Sequence, residues 1–243
     1  MNIDLNADVA EGFAFDKELM AIVSSANICA GLHAGGVADM VKTLSYAKEN
    51  GVKIGIHPSY DDRENFGRTN HRLGHEDVRA LLFYQMSAVC AVCNTMGLTP
   101  SYVKPHGALY NQAGTDPDLA QAIAQAVHDF NPSFALMGLS GSELIRAGKK
   151  LGLTTISEAF ADRHYNADGT LVSRTLPNAL IHDENEAISQ VVRMVEKGEV
   201  VAEDGTVVTL DVDSICLHGD GEHALAFAKK IKENLLARGI TIG

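Results

Sequence analysis

The segment Tyr102-Val103-Lys104-Pro105-His106 sets an ammonium and an imidazole two residues apart at the end of a short apolar run. In an extended chain, residues two apart share a face, so Lys104 and His106 point the same way. A buried ammonium needs carboxylate partners, and Asp8, Glu11 and Glu158 are available to supply them. Asp8 and Glu11, three apart in "DVAEG", suit holding a cation or serving as acid and base; a solvated acidic loop is the plain alternative. His57 in "GIHPSY" and His106 in "KPHGAL" share one form, an apolar run followed by histidine and a proline-flanked turn. One such histidine is ordinarily a hydrogen-bonded structural residue, whereas two in matching positions point to a site. His33 in "GLHAGG" precedes a helix and reads equally well as a loop residue. Carboxylates, a lysine and neutral imidazoles around one pocket suit polarising a carbonyl and activating water. Hydride transfer and a Walker-type phosphate loop are excluded: "GLSGSE" is not G-x-G-x-x-G, and "GKK" at 148–150 lacks the first glycine and the Ser/Thr.

Such residues meet only if the fold gathers them. Short β-branched or apolar runs at 2–6, 26–30, 53–57, 102–106, 134–138, 154–159 and 214–218 alternate with segments of helical periodicity. That alternation means parallel strands joined by crossover helices, in a sheet either open or closed. Seven units, each with a polar strand end, favour closure, so the expected fold class is α/β, a seven-stranded β/α barrel. The terminal "ITIG" is followed by no helix and is not counted. In a barrel, the C-terminal strand ends converge on one face. They carry, in order, Asn6, Asp8 and Glu11; Asn27 and His33; His57; Lys104 and His106; Ser140; Glu158, Asp162 and Arg163; His218 and Asp220. The opposite ends ("ENGVK", "LGLTT", "ARGIT") are plain glycine turns. Helix signals agree: Asp116-Pro117 is an N-cap with proline at the first helical position, and Ser140-x-x-Glu143 and Asp183-x-x-Glu186 read as capping boxes. Gly51, Gly97, Gly152 and Gly239 close helices. Ser140 and Ser142 read as caps rather than nucleophiles, since no G-x-S-x-G elbow is present. "VVAEDGTVVTL" predicts a small added hairpin with a type I′ turn at Asp204-Gly205.

The whole chain, residues 1–243, reads as a single domain with 46% apolar residues. A net charge of −11 without a basic run argues against nucleic acid and anionic membranes. No signal or membrane-spanning segment is legible, so a soluble, cytoplasmic protein is expected. Cys90 and Cys93 form a C-x-x-C, but they fall on the stripe Val78, Leu81, Leu82, Met86, Val89, Cys93, Met96 and read as small core residues.

The motifs "IDLNADVAEGF", "SANICAGLHAGG", "GIHPSYDD", "FGR" (66–68), "VKPHGALYN", "LGLSGSELI", "SEAFADRHYNADGTLVSR", "ALIHD" and "ICLHGD", in collinear order over the chain, resemble the LamB/YcsF family. The resemblance implies a barrel similar to the polysaccharide deacetylases, and the A subunit of an ATP-dependent 5-oxoprolinase working with subunits B and C, with Mg2+ accompanying the nucleotide. It marks Asp8, Glu11, His57, Lys104 and His106 as catalytic candidates. Asn6, His33, Glu158, Asp162, Arg163, His218 and Asp220 are candidates for substrate binding. If a cation binds, Asp8, Glu11, His33 and His57 are its candidate ligands. Lys104 and Arg163 would stabilise developing oxyanion or phosphate charge. The chain departs from the family at Ala10 and Ala14, where glycine is usual, at Cys29-Ala30, which reverses the usual order, at Leu32 for Phe, and at Gly36, where Asp is common. A stand-alone metal-dependent deacetylase acting on a sugar or small amide is the competing reading, by analogy of fold.

Overall fold

A computed structural model describes residues 1–217 and 222–243. Its first strand, β1 (Asn2–Val9), shows how the alternation in the sequence builds the molecule. Ile3, Leu5, Ala7 and Val9 join the apolar core. Asp4, Asn6 and Asp8 instead find polar partners on neighbouring strands. Burying each of the larger aliphatic side chains is worth about 1.5–3 kcal/mol.

The next strands are β2 (Ser25–Cys29), β3 (Lys53–His57), β4 (Tyr102–Val103), β5 (Ala135–Leu139) and β6 (Thr155–Phe160). The hairpin strands β7 (Glu199–Val201) and β8 (Val207–Thr209) precede β9 (Ser214–Leu217) and β10 (Thr241–Ile242). The parallel order β1-β2-β3-β4-β5-β6-β9 closes through β9 on β1, a seven-stranded barrel as expected. The segment "ITIG" also pairs: β10 lies parallel to β1 at Asn2 and Ile3, below the point where β9 takes over at Asp4. Around the barrel run α1 (Asp16–Met20), α2 (Val37–Asn50), α3 (His75–Thr95), α4 (Gly107–Thr115), α5 (Pro117–Phe130), α6 (Glu143–Lys150), α7 (Glu184–Lys197) and α8 (Glu222–Ala237). No helix among the described residues is long and apolar enough to cross a membrane.

Polar layers line the barrel interior. Asp4 accepts hydrogen bonds from Ser24, Ser25 and Ser214 at the bottom. Above it, the Tyr102 ring occupies the space left by Gly55, where a Cβ would stand 2.2 Å from the ring. The Tyr102 hydroxyl donates to Asn27 Oδ1 at 2.6 Å.

Two local expectations need correction. The side chain that caps α6 is Ser142, whose Oγ accepts from the Ile145 N–H, not Ser140; the Ser140 N–H is bonded to the Glu158 carbonyl and stays with the sheet. The hairpin turn is not type I′, because among its residues only Gly205 has a positive φ (85°). The Gly205 N–H returns to the Ala202 carbonyl, the pattern of a three-residue loop ending in a left-handed glycine. Asp116 and Asp183 cap α5 and α7 as expected. Cys93 is buried in α3 and Cys90 half-buried, and all four cysteines are free.

Candidate active site

At the C-terminal mouth of the barrel, the path of the chain through 102–106 explains the odd run Lys-Pro-His. The Lys104 N–H donates to the Ile56 carbonyl at 2.9 Å and the His106 N–H to the Pro58 carbonyl at 2.8 Å. Pro105, with no N–H, sits at the alternate position, where the ladder requires no donor.

Lys104 is 2% exposed, and its ammonium sits among side chains of β1, β6 and β9. Its Nζ lies 2.9 Å from Asp8 Oδ1 and 2.7 Å from Glu158 Oε1, with Asn6 Oδ1 at 3.2 Å. Burial works against the ammonium, but Asp8 and Glu158 outweigh it and hold the Lys104 pKa well above the ordinary lysine value. Glu158 Oε2 accepts from the Tyr110 hydroxyl at 2.7 Å. Asn6 is fixed from both sides, donating to Ser214 Oγ and accepting from Asn27.

Beside this cationic centre stands a histidine cluster. His57 Nε2 lies 3.0 Å from His106 Nδ1, 3.3 Å from Asp8 Oδ2 and 3.9 Å from Glu11 Oε1. Glu11 Oε1 is also 2.8 Å from His33 Nε2 and 3.4 Å from His106 Nδ1. The His33 and His106 rings stack at 3.7 Å. Burial, then the neighbouring His57, pull the His106 pKa down to about 3. Glu11, His33, His57 and His106 present ligand atoms within 4.8 Å of one another, a group able to hold a metal ion.

Tight loops place these groups. Ala10 adopts a left-handed conformation (φ 61°), and its N–H is held by Asp16 Oδ2, which also accepts from Thr43. A Cβ on Gly35 would stand 1.9 Å from the Ala10 carbonyl oxygen, so the loop bearing His33 closes directly on the loop bearing Glu11. Arg63 ties the same loop through the carbonyls of Gly31 and Gly35. Gly36 is the N-cap of α2 and offers it no side-chain bond.

The pocket above is lined by Asp8, Glu11, His57, Lys104 and His106 together with Phe66, Tyr110, Phe160 and the arginines 68, 163 and 174. Asn6 and Glu158 lie beneath it as supports for Lys104, and His33 lies behind His106. Arg163 reaches the pocket wall, but its guanidinium donates to the carbonyls of Ala179 and Val172, pinning the loop after β6. Burial, then Arg174, pull its pKa down to about 10. Asp162 instead lines a separate cavity with Ile181, His182 and Phe227. His218 and Asp220 lie outside the described residues. Sequence reasoning passed over Arg68, Tyr110 and Arg174, although "FGR", "VKPHGALYN" and "LVSR" stand among the motifs that carry the resemblance.

A closed seven-stranded β/α barrel with a lysine–carboxylate–histidine pocket at its C-terminal mouth is the build of a barrel enzyme. The LamB/YcsF family model matches residues 3–243, and the chain belongs to that family. It is 55% identical over 240 residues to the A subunit of 5-oxoprolinase from Histophilus somni (strain 129Pt), covering 99% of this chain and 97% of that protein. The A subunit of 5-oxoprolinase from Neisseria meningitidis serogroup B (strain ATCC BAA-335 / MC58) is 54% identical, with 99% and 98% covered. The crystal structure of a lactam utilization protein from Thermus thermophilus superposes at a TM-score of 0.93 with 37% identity, covering 100% of this chain and 99% of that one. A T48 deacetylase, at a TM-score of 0.53 and 13% identity over 100% of this chain and 87% of that one, shares the fold alone.

Proposed function

We propose that this chain is the A subunit of an ATP-dependent 5-oxoprolinase, a hydrolase that opens the lactam 5-oxo-L-proline to L-glutamate. Its relatives' names support the substrate. The observation that carries the chemistry is the Lys104 ammonium, held at the pocket floor by Asp8 and Glu158 beneath a wall bearing Arg68 and Arg174. A five-membered lactam is a resonance-stabilised amide, and phosphorylating its oxygen from ATP withdraws that stabilisation and makes the carbon electrophilic. Water then adds, the ring nitrogen takes a proton and leaves as the amine, and hydrolysis releases phosphate. Lys104 stabilises charge on the lactam or phosphoryl oxygen. Asp8 or Glu11, with His57 or His106, handles the protons of water and amine. Arg163 acts by positioning its loop, and the rim arginines attract an anionic substrate. Subunits B and C complete the assembly, ATP enters with Mg2+, and the complex works in the cytoplasm. The deacetylase reading has no comparable support, since the deacetylase shares fold alone.

The test is 5-oxoproline-dependent ATP hydrolysis and glutamate formation by the purified chain with and without its partner subunits. Turnover is expected only in the full assembly, and Lys104→Ala should lower it by about 10²-fold or more. Full turnover in Lys104→Ala or His106→Ala would refute the assignment of the site.

A further inference from the structure

The hydrogen bonds on the far sides of two rings decide what stands between them. His57 Nδ1 lies 2.7 Å from the Lys104 carbonyl oxygen, and His106 Nε2 lies 2.9 Å from the Phe66 carbonyl oxygen. A carbonyl only accepts, so each of those nitrogens carries a hydrogen. In the neutral rings, the remaining nitrogens, His57 Nε2 and His106 Nδ1, are then both lone-pair acceptors, and they face each other at 3.0 Å. Two more acceptors look into the same space, Asp8 Oδ2 at 3.3 Å from His57 Nε2 and Glu11 Oε1 at 3.4 Å from His106 Nδ1. Within this group of four, a single proton on one ring bridges one pair and leaves the remaining contacts unbridged. A cation satisfies all of them.

We propose that His57 Nε2, His106 Nδ1, Glu11 and Asp8 form the binding site of one divalent transition-metal ion of the zinc class. Metal–ligand bonds of about 2.0–2.2 Å set neighbouring ligand atoms roughly 2.9–3.5 Å apart; the separations of 3.0, 3.3 and 3.4 Å match this, and the 3.9 Å between His57 Nε2 and Glu11 Oε1 closes by a few tenths of an ångström when the ion binds. Two imidazoles and two carboxylates suit such an ion better than Ca2+ or Mg2+, which take oxygen ligands. The outer contacts also have the form found around metal-binding histidines, each ring giving its other N–H to a backbone carbonyl. His33 fits this outer role: facing a carboxylate, its Nε2 is the donor, and it orients Glu11 rather than competing for the ion. Asp8 keeps Oδ1 on Lys104 and Asn27, leaving Oδ2 for the metal. The site is the one assigned above to lactam opening, and the proposal deepens that reading: with an ion bound, these four groups hold it and would not themselves move the protons of water and amine, whereas metal binding itself is independent of the substrate.

The isolated chain, purified without a metal-binding tag and stripped with chelator, would be titrated with Zn2+ by calorimetry and with Co2+ by visible absorption. One ion per chain is expected, with Co2+ ligand-field bands and a raised melting temperature. His57→Ala and His106→Ala should each weaken binding by more than about 100-fold, and His33→Asn by about 10–100-fold. Glu11→Gln, which keeps the side-chain shape, serves if a histidine variant fails to fold, and it should also weaken binding. No stoichiometric binding by the folded chain would overturn the proposal, as would binding unchanged in the folded variants. Because neither lactam nor ATP is present, a failed oxoprolinase assay leaves this result standing, and the reverse also holds.

Discussion

Lys104 concentrates the energetics of the site on one atom. Its ammonium is shared between Asp8 and Glu158, and Glu158 is fully buried. Removing one member strands a buried charge, so Lys104→Met and Glu158→Gln should each destabilise the fold by about 3–5 kcal/mol. The double variant leaves no such orphan between the two positions and should cost less than the sum by at least about 1 kcal/mol. Urea denaturation of the four proteins in the cycle measures this, and strict additivity would mean that the pair is not coupled. Ala10 makes a different residue-scale point. Its positive φ is the backbone state that glycine adopts at no steric cost, in line with the glycine that the resemblance leads one to expect at this position.

Among the elements, the turn at 66–68 holds the histidine cluster together. Phe66 and Gly67 both have positive φ, which turns the Phe66 carbonyl onto His106 Nε2. A Cβ on Gly67 would come within 2.9 Å of both His106 Cδ2 and His33 Cβ. Gly67→Ala should therefore displace the stacked rings and lower oxoproline turnover by about 10-fold or more, as misplacement by an ångström does. Circular dichroism would register little loss of helix. Unchanged turnover would show that the ring positions tolerate movement. Strand ends of this kind were legible because an apolar run stops at a charged or imidazole residue, as at His57 and Lys104. The capping box was misplaced because Ser140-x-x-Glu143 satisfies the motif while the backbone of Ser140 is already committed to the Glu158 carbonyl; Ser142, also read as a cap, does cap α6.

At the scale of the molecule, the seven parallel strands follow from alternation, and their closure from the polar residues at every strand end. In β1, Asp4, Asn6 and Asp8 fall on one face by period two and find their partners inside the barrel, of which only Asn6 and Asp8 were legible in the sequence, as strand-end residues. What alternation cannot convey is which loop folds over the mouth. Arg68 and Arg174 reach the pocket from irregular segments with no periodicity to read, and adjacent Asp162 and Arg163 diverge into different cavities. The bonds of Arg163 to Val172 and Ala179 fold an irregular loop back on itself, with no periodicity to mark them.

The pairing of β10 with β1 brings Gly243 beside Asn2 and Ile3, at the end of the barrel away from Lys104 and the histidines. The order of the strands around the barrel therefore does not depend on where the polypeptide is interrupted. Joining residue 243 to residue 1 through a short glycine linker and opening the exposed turn at Asp204-Gly205 should give a circular permutant that folds. Its melting should stay cooperative and its Co2+ spectrum unchanged from that of the parent chain. A permutant that folds but loses the spectrum would mean that the two faces of the barrel are mechanically linked.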